Sequence, residues 1–298
     1  MTLVLEAAGR RHAFDGRPWL MGIVNATPDS FSDAGPRTLE ARVARAAELL
    51  AAGADLIDIG GESGITTAPA VAAAEEIERV VPLIERVAGE LGALVSVDTY
   101  KPAVAEAAIA AGAAIVNDVS GLRDPGLADV CARTGAGLIL MHTPIPPKTK
   151  KLDHPYGDIR AEVAAFLQDR IDVATSRGVA FEQIVVDPGP DFGKSPAQSI
   201  ELLADLAPYR ALGRPVLLAI SRKDFVGAVV QRPPRERLAG TLAALAHGCD
   251  QGGHIFRVHD VAACADFLAV RAALRGEAPV PADLTLPEDL RREPAATG

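Results

Sequence analysis

From Trp19 onward the chain alternates short apolar runs with longer stretches whose apolar residues recur three and four apart. The first pattern is that of buried strands, the second that of helices packing one face. Eight strands are predicted, at Leu20–Val24, Leu56–Ile59, Leu94–Val97, Ala114–Asn117, Gly137–Met141, Gln183–Val186, Pro215–Ile220 and His254–Val258. Between them, Val43, Ala46, Ala47 and Leu50 mark one helix face, and Ile77, Val80, Val81 and Ile84 mark another. A phrase recurs before the strands: Ala51-Ala52-Gly53-Ala54, Ala110-Ala111-Gly112-Ala113 and Thr134-Gly135-Ala136-Gly137. Glycine there supplies the left-handed residue that ends a helix, and the next strand begins at once. Repeated helix–glycine–strand units predict an α/β fold. Eight strands favour a closed (β/α)8 TIM barrel over a doubly wound sheet. The doubly wound alternative would offer a glycine-rich phosphate loop after its first strand, where Asn25-Ala26-Thr27-Pro28-Asp29-Ser30 stands instead. Leu3–Phe14 alternates loosely and predicts a short N-terminal β-hairpin. The expected organisation is one barrel over residues 1–275 and a loosely ordered C-terminal tail over 276–298, rich in Pro, Glu and Arg.

Composition narrows the function classes. Of 298 residues, 49% are hydrophobic and only 4% aromatic, a palette suited to parallel strands under Ala-rich helices. A net charge of −9 argues against nucleic acid or an anionic membrane as partner. A small anionic substrate is compatible with it, because a site needs only local cations. Cys131, Cys249 and Cys264 are widely spaced with no CxxC pair, so neither a disulfide framework nor a cysteine zinc site is expected. No apolar run has the length of a membrane span, and the N-terminus lacks the basic-then-apolar pattern of a signal peptide. A cytoplasmic protein is expected.

The chemistry gathers where the predicted strands end. Asn25, Asp58 with Glu62, Asp98 with Thr99, Asn117 with Asp118, His142, Asp187, Ser221-Arg222-Lys223 and Arg257 with His259 all follow strands. In a barrel these ends meet at one mouth. One Asp after a strand is usually a helix cap or turn former. Agreement at all eight ends, with Asn, His, Lys and Arg among the residues, points to a site. Asp98, Asn117 and Asp187 combine carboxylate and amide groups that match an amino-pyrimidinone edge. Asn25, Arg257 and His259 suit a phosphate or pyrophosphate, with Asn25 as a candidate metal ligand. Lys223 reads either as a substrate donor or as an ion-pair partner. Phe192 reads as a platform for a flat ring or as a plug, and Arg222 as the partner of an acid behind the barrel. His247-Gly248-Cys249 reads as buried helix rather than metal site.

These residues, taken in order, resemble the dihydropteroate synthase family. The motifs are Gly22 to Asp33, Asp58-Ile59-Gly60-Gly61-Glu62-Ser63, Ser96-Val97-Asp98-Thr99, Asn117-Asp118, Met141-His142, Asp187-Pro188-Gly189 with Phe192-Gly193-Lys194, Ser221-Arg222-Lys223, Gly240-Thr241 and Arg257-Val258-His259-Asp260. The resemblance spans Met21 to Ala273. It implies a (β/α)8 homodimer that joins 7,8-dihydropterin-6-ylmethyl diphosphate to 4-aminobenzoate, using Mg2+ and releasing pyrophosphate. It implies catalytic roles for Asp98, Asp187 and Lys223. The pterin would be held by Asp98, Asn117, Asp187 and Lys223, with Asp58, Met141, Phe192 and Gly193 nearby. Asn25, Arg257 and His259 would hold the diphosphate and its magnesium, Asn25 as metal ligand. Ser221, Lys223 and Phe192 would help form the aminobenzoate pocket, and the loops after Asn25 and Glu62 would close over the site, with Thr66, Thr67 and Pro69 of the second as substrate-binding residues.

The sequence departs from the family in places. The family runs Thr-Arg-Pro-Gly after Glu-Ser, whereas Gly64-Ile65-Thr66-Thr67-Ala68-Pro69 stands here, with Ala68 in place of the arginine that helps close the site. Asp191 replaces a usual glycine, Ser199 a common asparagine and Ala219 a glycine. Two other readings therefore stand beside an active synthase: a weak or inactive pterin-binding paralogue, motivated by Ala68, and a pterin-dependent methyltransferase. The methyltransferase needs no diphosphate or aminobenzoate pocket, so the Ser221-Arg222-Lys223 and Arg257-Val258-His259 phrases count against it.

Overall fold

The computed structural model describes residues 2–27, 38–64, 68–149 and 154–291. Strands β1 (Val4–Ala7) and β2 (Arg10–Ala13) form the antiparallel hairpin that the N-terminal alternation predicts. Then come β3 (Trp19–Asn25), α1 (Leu39–Ala51), β4 (Leu56–Gly60), α2 (Ala73–Gly89), β5 (Val95–Asp98), α3 (Pro102–Ala110), β6 (Ile115–Asp118), α4 (Gly126–Thr134), β7 (Gly137–Met141) and α5 (Ile159–Ser176). The second half adds β8 (Ile184–Asp187), α6 (Pro196–Leu203), α7 (Ala207–Arg210), β9 (Leu217–Ala219), α8 (Asp224–Val230), α9 (Leu238–Asp250), β10 (Ile255–Val258) and α10 (Val261–Arg275). Strands β3 to β8 pair in sequence, β10 joins β3 to β9, and a parallel bridge from Val186 to Val216 links β8 to β9. The sheet is a (β/α)8 barrel.

Strand alternation decides where each side chain goes. Met21, Leu56, Ile115, Ile139, Val185, Leu217, Ala219 and Ile255 share one buried cluster, the barrel interior. Their neighbours Leu20, Ile57, Val116, Leu138, Leu140, Val186, Leu218 and Phe256 belong to the larger cluster beneath the helices. Counting on by twos from the interior set reaches Asn25, Asp58, Asn117, Met141, Asp187, Ser221 and Arg257. Asp98 follows in the same way from Ser96, which pairs with Asp58 and Ile115. Asp118 and His142 fall on the other parity. Asp118 accepts from the backbone amides of Ser120 at 2.8 Å and Leu122 at 2.5 Å, the turn-forming role open to any strand-end aspartate. The His142 ring meets Phe166 of α5 edge-on, with centroids 4.7 Å apart. Burial drives its pKa down to about 2, so it is a neutral core group rather than part of the mouth.

The hairpin caps the opposite end. Leu5 and Ala7 complete the interior cluster, and the Ala8 amide donates to the Gly135 carbonyl at 2.8 Å, just before β7. The recurring glycines Gly53, Gly112 and Gly135 have φ of +101°, +113° and +73°, as the sequence phrase predicts. On α1 the buried set is Val43, Ala46 and Leu49, one position from the expected Leu50. Helix α10 ends at Arg275, Gly276 follows with φ +68°, and the described residues beyond it are mostly exposed.

Gly189, just after β8, has φ +67°, and a β-carbon there would stand 2.2 Å from the His142 carbonyl oxygen. Backbone meets backbone at this point, so nothing flexible can yield. Gly189→Ala is expected to cost about 3 kcal/mol or more. Urea unfolding measures it, and a loss below about 1 kcal/mol would show that the two loops can part.

Candidate active site

A cavity of about 450 Å³ opens at the C-terminal ends of the strands. Asn25, Asp98, Phe192, Gly193, Ser221, Lys223, Arg257 and His259 line it, so eight of the sequence candidates converge. Asp58, Asn117, Met141 and Asp187 are buried at inward strand-end positions. Pro69 is exposed and outside the lining of this cavity, and Thr66 and Thr67 lie outside the described residues.

Three carboxylates and one guanidinium organise the interior side. Arg257 donates from Nε to Asp58 Oδ2 at 2.7 Å and from Nη2 to Asp98 Oδ2 at 3.0 Å. Asn117 Nδ2 donates to the same Asp58 oxygen at 3.2 Å. Arg257, expected among the diphosphate groups, is thus committed to carboxylates of the pterin set. Burial pushes the Asp98 carboxyl up to about 7, Arg257 opposes this, and the charges of Asp58, Glu76 and Asp118 add to it. Burial likewise raises Asp187 to about 6, against the Gly189 amide, which donates to it at 2.7 Å, and the charges of Lys223, Lys194 and Arg257. These carboxyls change charge near neutrality, where a small change of surroundings switches them.

The loops after β8 and β9 carry the opposite wall. Lys223 Nζ stands 4.2 Å from the Phe192 ring centroid and donates to the Pro190 carbonyl at 3.2 Å. Phe192 is therefore a platform with a cation on it. Ser221 Oγ accepts from the His259 amide at 3.2 Å and lies 3.0 Å from its Nδ1, joining the loops after β9 and β10. Arg222 pairs with Asp260 through Nε at 3.0 Å and Nη2 at 2.6 Å. The ion-pair reading of Arg222 holds, but at the mouth rather than behind the barrel, since Arg222 lines the cavity. Its amide donates to Thr241 Oγ1 at 3.0 Å, which gives the Gly240-Thr241 phrase a structural role.

Lys194 and Glu62, present in the sequence motifs without an assigned role, acquire one here, and Tyr100, Lys101 and Lys148 join them with no sequence signal of their own. Lys194, only 2% exposed, donates to the carbonyls of Gly189 at 2.7 Å, Phe192 at 3.1 Å and His142 at 3.3 Å. Burial brings its pKa down to about 7, with Asp187 opposing. At the rim, Glu62 accepts from Lys101 Nζ at 2.7 Å, Tyr100 Oη at 2.9 Å and the Val71 amide at 2.8 Å. Lys101 also contacts buried Glu76. Lys148, on the loop after β7, donates to the Ser63 carbonyl and stands 3.3 Å from Glu62 Oε1. The base of the altered loop is thus pinned from two other loops. His247 lies on α9 as expected, but exposed rather than buried, with Nε2 2.9 Å from the Leu203 carbonyl; of the His247-Gly248-Cys249 phrase only Gly248 is buried. The described residues contain no group of three or more His, Cys, Asp or Glu placed to hold a metal ion.

Comparison with known proteins identifies the family. The family model described as "Pterin binding enzyme" matches residues 21–259. The dihydropteroate synthase of Bacillus subtilis (strain 168) is 40% identical over 262 residues, 87% of this chain and 90% of that protein. Dihydropteroate synthase from Xanthomonas albilineans, solved with 4-aminobenzoic acid, superposes with a TM-score of 0.85 at 45% identity, covering 94% of this chain and all (100%) of that one. The same enzyme solved with 7,8-dihydropteroate gives 0.82 at 45% identity, covering 93% of this chain and 100% of that one. An inward acid–amide–acid set, a lysine on an aromatic platform and this match over most of the length place the chain in the dihydropteroate synthase family of pterin-binding enzymes.

Proposed function

We propose that the chain is a transferase that condenses 7,8-dihydropterin-6-ylmethyl diphosphate with 4-aminobenzoate, giving 7,8-dihydropteroate and pyrophosphate for folate synthesis. The observation that carries this reading is the inward set Asp98, Asn117 and Asp187 facing the Lys223–Phe192 pair. Buried carboxylates accept from the amino and ring N–H groups of a pterin and stabilise positive charge that spreads into the ring as the diphosphate leaves. The arylamine nitrogen donates its pair to the methylene carbon, the carbon–oxygen bond to diphosphate breaks, and the new amine sheds a proton. No protein nucleophile is required.

Magnesium belongs to this proposal. Asn25 offers one neutral amide oxygen on the cavity wall, where His259 also stands. A single hard ligand suits an ion whose remaining positions go to water and substrate phosphate. When bound, the ion would offset charge developing on the departing diphosphate. The same reading makes the protein a cytoplasmic homodimer. Val270 and Leu274, exposed on α10, support the homodimer part of it.

Pyrophosphate release from the purified protein with both substrates and Mg2+ tests the reading. No release, with pterin binding intact by calorimetry, would overturn it and favour the weak or inactive paralogue that Ala68 suggests. Ala68→Arg is expected to raise kcat/KM about threefold to tenfold, the worth of one added charge-assisted contact at a partly solvated rim. An unchanged rate would place loop closure on another cation. Lys148, already seated at Ser63 and Glu62, is the group in position.

A further inference from the structure

Asp191 and Ser199 stand where the family resemblance expects glycine and asparagine, and the structure brings these two departures into contact. The Asp191 amide donates to Ser199 Oγ at 2.9 Å, and that hydroxyl lies 2.9 Å from Asp191 Oδ1 and 3.0 Å from the Ser195 carbonyl. Asp191 has φ +66°, a conformation open to glycine and resisted by a β-carbon. The chain therefore holds a side chain at a place where its backbone prefers none, and a compensating contact is to be expected. Asp191 Oδ2 provides it, accepting from the Asp224 amide at 2.5 Å and the Phe225 amide at 3.4 Å. Helix α8 has no side-chain cap of its own, because Lys223 occupies its N-cap position. A carboxylate from the loop after β8 thus caps the helix that follows β9.

The residues on either side of Asp191 grip Lys223. Pro190 accepts from its ammonium and Phe192 lies under it. Burial disfavours the charged Lys223, Asp191, Asp187 and Asp224 favour it, and Arg257 and Lys194 oppose it.

We propose that Asp191 is a positioning residue that locks the loop after β8 to the first turn of α8 and so fixes the Lys223 ammonium over Phe192. The kinetic part of this inference rests on the synthase reading; the structural part does not. The test compares Asp191→Gly, which the backbone accepts, with Asp191→Asn, which keeps an acceptor but loses the charge.

Two measurements decide. In steady-state pyrophosphate release, Asp191→Gly is expected to lower kcat/KM about tenfold, the size of one lost charge-assisted hydrogen bond. The alkaline limb of the pH profile is expected to move to lower pH in both variants. In the second measurement, the titration of Lys223 is followed by NMR with 13Cε-labelled lysine, its signal assigned by its loss in Lys223→Arg. The midpoint is expected to fall in both Asp191 variants. Loss of the charge alone moves both variants alike, so positioning is read from the difference between them: the midpoint is expected to fall further in Asp191→Gly, which also loses the acceptor that holds the Asp224 amide, and equal midpoints in the two variants overturn the proposal. If the wild-type protein releases no pyrophosphate, the synthase reading fails and the Lys223 midpoint still decides the role of Asp191.

Discussion

Arg257→Met is expected to cost about 3–5 kcal/mol of stability near pH 8 and to abolish tight pterin binding. Arg257 reaches two carboxylates, and Asp58 is fully (0%) buried. Removing the guanidinium leaves Asp58, among the described residues, with only the Asn117 amide, and an uncompensated buried charge costs more than the lost pair was worth. The effect carries a pH signature. Burial already raises the Asp98 carboxyl to about 7, and the Arg257 charge opposes that rise. Without it Asp98 takes up a proton at higher pH still. A neutral carboxyl has no need of the lost cation, so the penalty shrinks as pH falls from 8 towards 5. Urea unfolding of wild type and variant at both pH values measures this. A penalty below about 1 kcal/mol, or one independent of pH, would show that Arg257 serves the diphosphate and not the carboxylates. Arg257→Lys should recover only part of the loss, because one ammonium cannot serve two carboxylates as a guanidinium fork does.

That double contact marks the limit of what the sequence makes legible. Periodicity and the helix–glycine–strand phrase place all eight barrel strands, because buried parallel strands and left-handed helix ends leave strong local marks. The strand-end residues are legible as a set, and the parity of each strand sorts them further. Met21 to Asn25, Leu56 to Asp58 and Ile255 to Arg257 are even steps from the interior cluster. His142 is an odd step from Ile139, and its place against Phe166 follows. What a side chain touches across the barrel is another matter. Arg257 and Asp58 are 199 residues apart and meet only once the ring closes. Lys148 and Asp191 act through backbone carbonyls and amides of distant loops, and Lys194 ties its own loop to the His142 carbonyl 52 residues away; no spacing rule encodes such contacts. The same applies to Asp191 and Ser199, which read as two unrelated substitutions until Ser199 Oγ is found between them.

Asp187→Asn is expected to lower kcat/KM about 10²- to 10³-fold with little loss of fold. Asparagine is close to isosteric and keeps an oxygen for the Gly189 amide, so the turn after β8 persists. The charge that faces the pterin is lost, and with it the stabilisation of a ring that becomes positive as the diphosphate departs. The pH profile makes the argument specific. Burial raises both Asp98 and Asp187, to about 7 and about 6, so each is anionic only above those values. A reaction that needs the anions must slow as pH falls through this range, giving the wild type an acid limb between about 6 and 7. Solvent-exposed carboxylates would put that limb near pH 4. In Asp187→Asn the lower component disappears and the limb follows Asp98 alone. Pyrophosphate release between pH 5 and 9, with circular dichroism to confirm folding, provides the measurement. A variant within fivefold of wild type, or a wild-type limb near pH 4, would remove Asp187 from charge stabilisation and leave it a role in pterin binding through its hydrogen bonds.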